Sequence, residues 1–161
     1  MKIVEKNTVL KHLNMSRKQI SDENGIEIAK SLSSNKGLEC MELDGNNLES
    51  GSAEEFGRML EINITLKVLN LEANNLTNSE KDTKGVRKIA EALTKNTTLI
   101  SLNLNSCDLN KNCSRMLADA MEENHTLILL DVEGNPKMDI FDVRKIQDKL
   151  EENRNIYYTE R

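Results

Sequence analysis

Cysteine, histidine and carboxylate are the side chains on which nucleophilic, redox, metal or acid–base chemistry is built, and this chain holds few of the first two. Its histidines are His12 and His125, separated by most of the chain. Cys40, Cys107 and Cys113 are an odd number, so they do not all pair, and none lies in a C-x-x-C arrangement beside a histidine. They read as structural thiols of a reducing compartment. Neither the phosphate-binding G-x-x-x-x-G-K-[ST] nor the dinucleotide-binding G-x-G-x-x-G occurs, and no set of metal ligands clusters by spacing. The Ile146-Gln147 dipeptide is followed by Glu151 and Glu152 instead of the basic residues that a calmodulin-binding segment needs. We therefore expect no catalytic residues, no cofactor, no metal, and a non-enzymatic protein.

The carboxylates are different, because they recur. Glu42 and Asp44 are followed by Asn70 and Glu72, then by Asn103 and Asn105, then by Asp131 and Glu133. Each pair is spaced by two residues, which puts both members on one face of an extended strand. Around them, with Asn14 and Ser16 in the first copy, stand Leu or another apolar residue at the intervening positions. The two columns that these residues make hold five carboxylates and four asparagines, with no lysine or arginine. An array of one sign focuses field and favours a Lys/Arg-rich segment of another protein.

What positions these columns is a repeat. Aligned on Asn7, Asn35, Asn63, Asn96 and Asn124, five segments carry L-x-x-[LM]-x-[LMV], as in "NTTLISLNLNSCDL" from position 96. In four of them Asn or Cys follows three residues later, at Asn46, Asn74, Cys107 and Asn135, whereas the first has Lys18. The second half of each unit has helical periodicity. Its last core residues are Leu32, Leu60, Leu93, Met121 and Leu150, with Ile28, Phe56, Ile89, Leu117 and Ile146 four earlier. Such units do not bury their own apolar side, so they stack and share one core. The aligning asparagines stand where helix gives way to strand, and we expect them to adopt the left-handed conformation common past helix C-termini. The triplets Asn63-Ile64-Thr65, Asn96-Thr97-Thr98 and Asn124-His125-Thr126 are then turns, not glycosylation sites. The third unit is five residues longer, and the excess in residues 77–85 reads as a solvated loop on one rim.

This pattern resembles the leucine-rich repeat, and its length of 28 to 29 residues resembles the ribonuclease-inhibitor type. The resemblance implies an α/β solenoid of five strand-helix units forming one domain over residues 1–161, with a parallel sheet on the concave face and helices on the convex face. It implies no single function. We expect a protein-interaction module, a structural subunit or adaptor of a larger assembly. The closing segment is similar to the last repeats of ciliary and axonemal leucine-rich proteins. An actin-filament regulator is the alternative, since the Asn96-Thr97-Thr98-Leu99 turn is similar to those in the repeat domain of tropomodulins. A Ran-type GTPase-activating protein is a third reading, disfavoured by the small repeat number.

Composition agrees with an interaction module. The chain carries a formal net charge of -5, which argues against nucleic acid and anionic membrane as partners. Only 2% of residues are aromatic, so the core must be built from Leu, Ile, Val, Met and Ala. No apolar run has the roughly 18 residues of a membrane span, and the first ten residues lack the apolar segment of a secretory signal, so we expect a cytoplasmic location. Val4 stands where a helix would end before Asn7, and Ile156 stands where a sixth unit would place its first leucine. Open solenoid ends leave apolar side chains wet, so a hetero-complex that covers them is expected, with Tyr157 and Tyr158 as contact residues.

Overall fold

The computed structural model describes residues 6–159. Val4 lies outside them. Five three-residue strands, β1 (His12–Asn14), β2 (Cys40–Glu42), β3 (Val68–Asn70), β4 (Ser101–Asn103) and β5 (Leu129–Asp131), pair in chain order into one sheet, every pair parallel. Parallel neighbours require a crossover, and a helix supplies each. The four crossover helices are α1 (Asp22–Ser34), α2 (Ser50–Ile62), α3 (Lys84–Leu93) and α4 (Lys111–Glu123), and a fifth helix, α5 (Ile140–Thr159), follows β5. The sheet register aligns His12 with Cys40, Val68, Ser101 and Leu129, and so repeats the sequence alignment strand by strand. This is the leucine-rich-repeat architecture, a curved stack with sheet inside and helices outside.

The spacing of leucines is a packing requirement. Met41, Leu69 and Leu102 from the strand centres are wholly buried, as are Leu43, Leu71 and Leu104 two residues on. Helical residues Ile28, Phe56, Ile89, Leu117 and Ile146 close the same core from the other side. Each such side chain contributes about 1.5–3 kcal/mol through burial, and the columns run unbroken from unit to unit. Ten residues after every aligning asparagine the backbone turns left-handed, at Arg17, Gly45, Ala73, Ser106 and Gly134. Only Gly45 and Gly134 escape the Cβ crowding that this conformation imposes.

The aligning asparagines do not adopt that conformation. Asn35, Asn63 and Asn124 are extended, with φ of -68°, -76° and -84°. Their side chains explain the residue type instead. The Oδ1 atom of Asn63 accepts the Thr65 and Leu66 amides at 2.9 and 2.8 Å, and its Nδ2 donates to the Leu32 carbonyl one unit back at 2.8 Å. Asn96 and Asn124 repeat these bonds. Threonines at 65, 98 and 126 reach back to the previous asparagine's carbonyl, which accounts for the N-x-T triplets.

A second asparagine ladder pins the other rim. Asn46 Nδ2 donates to the Met15 and Leu43 carbonyls, and its Oδ1 accepts the Lys18 and Ile20 amides. Asn135 Oδ1 likewise accepts the Cys107 and Leu109 amides. Cys107, the one thiol in this ladder, donates from Sγ to the Leu71 carbonyl at 3.3 Å but has no amide oxygen for the Leu76 N–H. That N–H turns to the Asn74 carbonyl at 3.0 Å, and here the chain departs into the long loop. The loop is tied down and is not a solvated bulge. Thr77 is wholly buried, with its Oγ1 donating to the Asp108 carbonyl. Asn78 caps α2 through the Ser50 amide, and Glu80 pairs with Lys137 two units away.

Candidate protein-interaction surface

Alternate strand residues face away from the core, and five strands in register turn them into columns on the concave surface. The inner column is Asn14, Glu42, Asn70, Asn103 and Asp131, and the next, just past the strand ends, is Ser16, Asp44, Glu72, Asn105 and Glu133. These residues are half-buried or exposed, in contrast to the buried leucines between them. The sequence-derived set Glu42, Asp44, Asn70, Glu72, Asn103, Asn105, Asp131 and Glu133 is therefore one contiguous surface. A depression of about 260 Å³ lies across it, bordered by Glu42, Asn70, Asn103 and Asp131 with Val68, Ser101 and Leu129.

The asparagines order the carboxylates. Asn14 Nδ2 donates to Glu42 Oε2 at 2.8 Å, Asn70 Nδ2 to Asp44 Oδ1 at 3.3 Å, and Asn103 Nδ2 to Glu72 Oε2 at 2.9 Å. Each bond crosses between neighbouring strands. Ser16 Oγ adds a bond to Asp44 Oδ1 at 2.5 Å. An amide donor fixes a carboxylate without cancelling its charge, so of the five negative groups on the face Glu42, Asp44 and Glu72 are held in place and partly shielded from water. This raises the field that an incoming cation meets.

The structure also brings together His12, Cys40 and Glu42, which are distant along the chain or divided between columns. His12 Nε2 lies 2.5 Å from Glu42 Oε1, and Cys40 sits opposite His12 in the strand register. The signal was present in the 28-residue interval between His12 and Cys40, which makes them column neighbours. Cys40 is half-buried, and burial together with the Glu42 charge pushes its thiol pKa up. Cys107 and Cys113 face the core, and burial raises Cys107 to about 12. All three thiols are unpaired.

At the C-terminal side, α5 runs through Asn153 to Thr159, so Ile156 stands on a helix and begins no strand. Asn153 still donates to the Asn124 and Leu127 carbonyls. Its Oδ1 is left without a partner, because in a helix the amides two and three residues on belong to the helical ladder. Tyr157 shares a recess with Ile64, Thr98 and Ile100 at the rim of the third and fourth units. Tyr158 is exposed and its ring meets Tyr157 edge-on at 5.3 Å. Sequence reasoning missed Ile140 and Phe141, which open α5 with relative exposures of 72% and 75%. No helix among the described residues is long and apolar enough to cross a membrane.

No protein-family model matches the chain, and no curated protein matches it. Solved structures do. Actin-binding site 2 of leiomodin-1 superposes with a TM-score of 0.79 over 93% of this chain and 84% of its own, at 22% identity. The C-terminal domain of tropomodulin from Caenorhabditis elegans gives a TM-score of 0.83 over 99% of this chain and 93% of its own, at 18% identity. At these identities the likeness establishes the leucine-rich-repeat fold.

Proposed function

We propose that the chain is a non-enzymatic protein-interaction module of the actin cytoskeleton, with the acidic concave face taking a Lys/Arg-rich segment of its partner. The observation that carries the reading is the likeness, over nearly the whole chain, to a leiomodin domain named for binding actin. The asparagine-ordered carboxylates supply the chemistry, and the exposed Ile140, Phe141 and Tyr158 supply apolar surface of the kind enriched at interface cores. The 28-residue repeat favours the ribonuclease-inhibitor type of unit, whose stacked neighbours keep the columns of such a face in register. A rigid array of this sort confers specificity and encounter rate on a structural subunit of a complex.

The experiment is direct. The purified chain is mixed with filamentous actin and pelleted, and in parallel its effect on the polymerisation of monomeric actin is followed. Saturable cosedimentation or a concentration-dependent change in polymerisation rate is expected. Absence of both at concentrations above those of ordinary cytoskeletal contacts would sink the actin reading, while the fold would stand.

A further inference from the structure

We propose that His12, Cys40 and Glu42 form a binding site for a zinc-class divalent ion on the concave face of β1 and β2. The candidate donor atoms are one imidazole nitrogen, one thiol sulfur and one carboxylate oxygen, all within 4.8 Å of one another. Nitrogen, sulfur and oxygen together suit a borderline ion such as Zn²⁺ and do not suit Mg²⁺ or Ca²⁺, which take oxygen alone. Tetrahedral ligation at about 2.1 Å separates donor atoms by roughly 3.4 Å. His12 Nε2 and Glu42 Oε1 now stand at 2.5 Å, inside that value, and the widest separation in the trio is no more than 4.8 Å. Side-chain rotations of about an ångström therefore bring all three to ligating distance. His12, with 56% of its side chain exposed, is free to make the largest of them.

The backbone is already set for this. Parallel pairing places His12 directly opposite Cys40, and Glu42 follows Cys40 on the same face. The Asn14 amide holds Glu42 Oε2, leaving Oε1 to ligate, which is the outer-shell orientation that metal-binding carboxylates need. On binding, the Cys40 thiol releases its proton to solvent and the sulfur enters as thiolate, while the proton shared between His12 Nε2 and Glu42 Oε1 leaves that contact for Nδ1 or solvent, which frees both atoms to ligate. Three protein donors leave the fourth position open toward the concave face. That position takes water in the isolated chain. The inference does not depend on the actin reading.

Cobalt(II) is the probe, because thiolate ligation to it gives a charge-transfer absorption in the near ultraviolet and four-coordinate geometry gives intense visible bands. It is titrated into the reduced, chelator-treated full chain. One equivalent is expected to bind with both signatures, and Zn²⁺ is expected to displace it. Cys40→Ser should abolish the charge-transfer band, and His12→Ala should weaken binding roughly tenfold or more, the lower bound seen even for outer-shell changes. Cys113→Ala should change neither. Circular dichroism checks that each variant keeps the fold, which is expected because His12 and Cys40 lie on the surface of the sheet. No charge-transfer band up to millimolar cobalt, or a band that survives Cys40→Ser, would overturn the proposal.

Discussion

Asn74 and Asn103 are the same residue type with opposite structural tasks. Asn74 is buried, its Nδ2 serves the Leu43 and Leu71 carbonyls, and its Oδ1 serves the Leu48 amide. Asn103 is half-exposed and holds Glu72 and the Asn105 amide. Replacing Asn74 by Ala leaves several buried backbone groups without partners, at about 1–3 kcal/mol each before relaxation, so a loss of about 2–4 kcal/mol is expected. At Asn103 water replaces the lost partner, and the same change should cost about 0.5–1 kcal/mol. Urea unfolding of the two variants measures the difference. The ladder position of Asn74 was legible because the repeat marks it. The hydrogen-bonding task of Asn63 was not, because residue type alone fits both a left-handed turn and a side-chain bridge, and only the extended backbone separates them.

Neighbouring helices are joined by charge as well as by core. Glu61 on α2 meets Lys88 on α3 at 2.9 Å and Lys95 just beyond it at 3.0 Å. Hydrogen bonds from Lys88 and then Lys95 hold its carboxyl below the usual range. A carboxylate depressed in the folded state stabilises at pH above its unfolded value, and that contribution is lost as pH falls through the folded one. Acid unfolding should therefore be less steep for Glu61→Gln than for the parent chain, with the curves converging once the carboxyl is protonated. Helix faces were readable from Ile28, Phe56, Ile89 and Leu117, since burial imposes the 3.6-residue period. The course of α5 was not. Asn153 matches the turn asparagines in type and interval, but here it makes the ladder bonds from within a helix. Likewise the extra residues of the third unit were visible in length, while the anchoring of Thr77 against Asp108 depends on a neighbouring unit that local sequence does not describe.

On the scale of the whole molecule, one rule repeated five times makes both the fold and the face. Leucines at alternate strand positions drive stacking, and stacking in register turns the positions between them into columns. The columns were thus readable from spacing once the repeat was found, including the absence of lysine and arginine from the inner two. The His12, Cys40 and Glu42 cluster went unread because it joins two columns and two strands. In the proposed function the acidic concave face carries the interaction with actin. Its most direct test is the actin dissociation constant of the intact chain and of the double variant Glu72→Lys, Glu133→Lys, each at low and high salt, with folding checked by circular dichroism. Both positions lie outside the proposed metal site. Affinity is expected to fall with salt for the intact chain and to fall roughly tenfold or more in the variant, as close charge pairs at interfaces do. Binding that is indifferent to salt and unchanged by both reversals would contradict it.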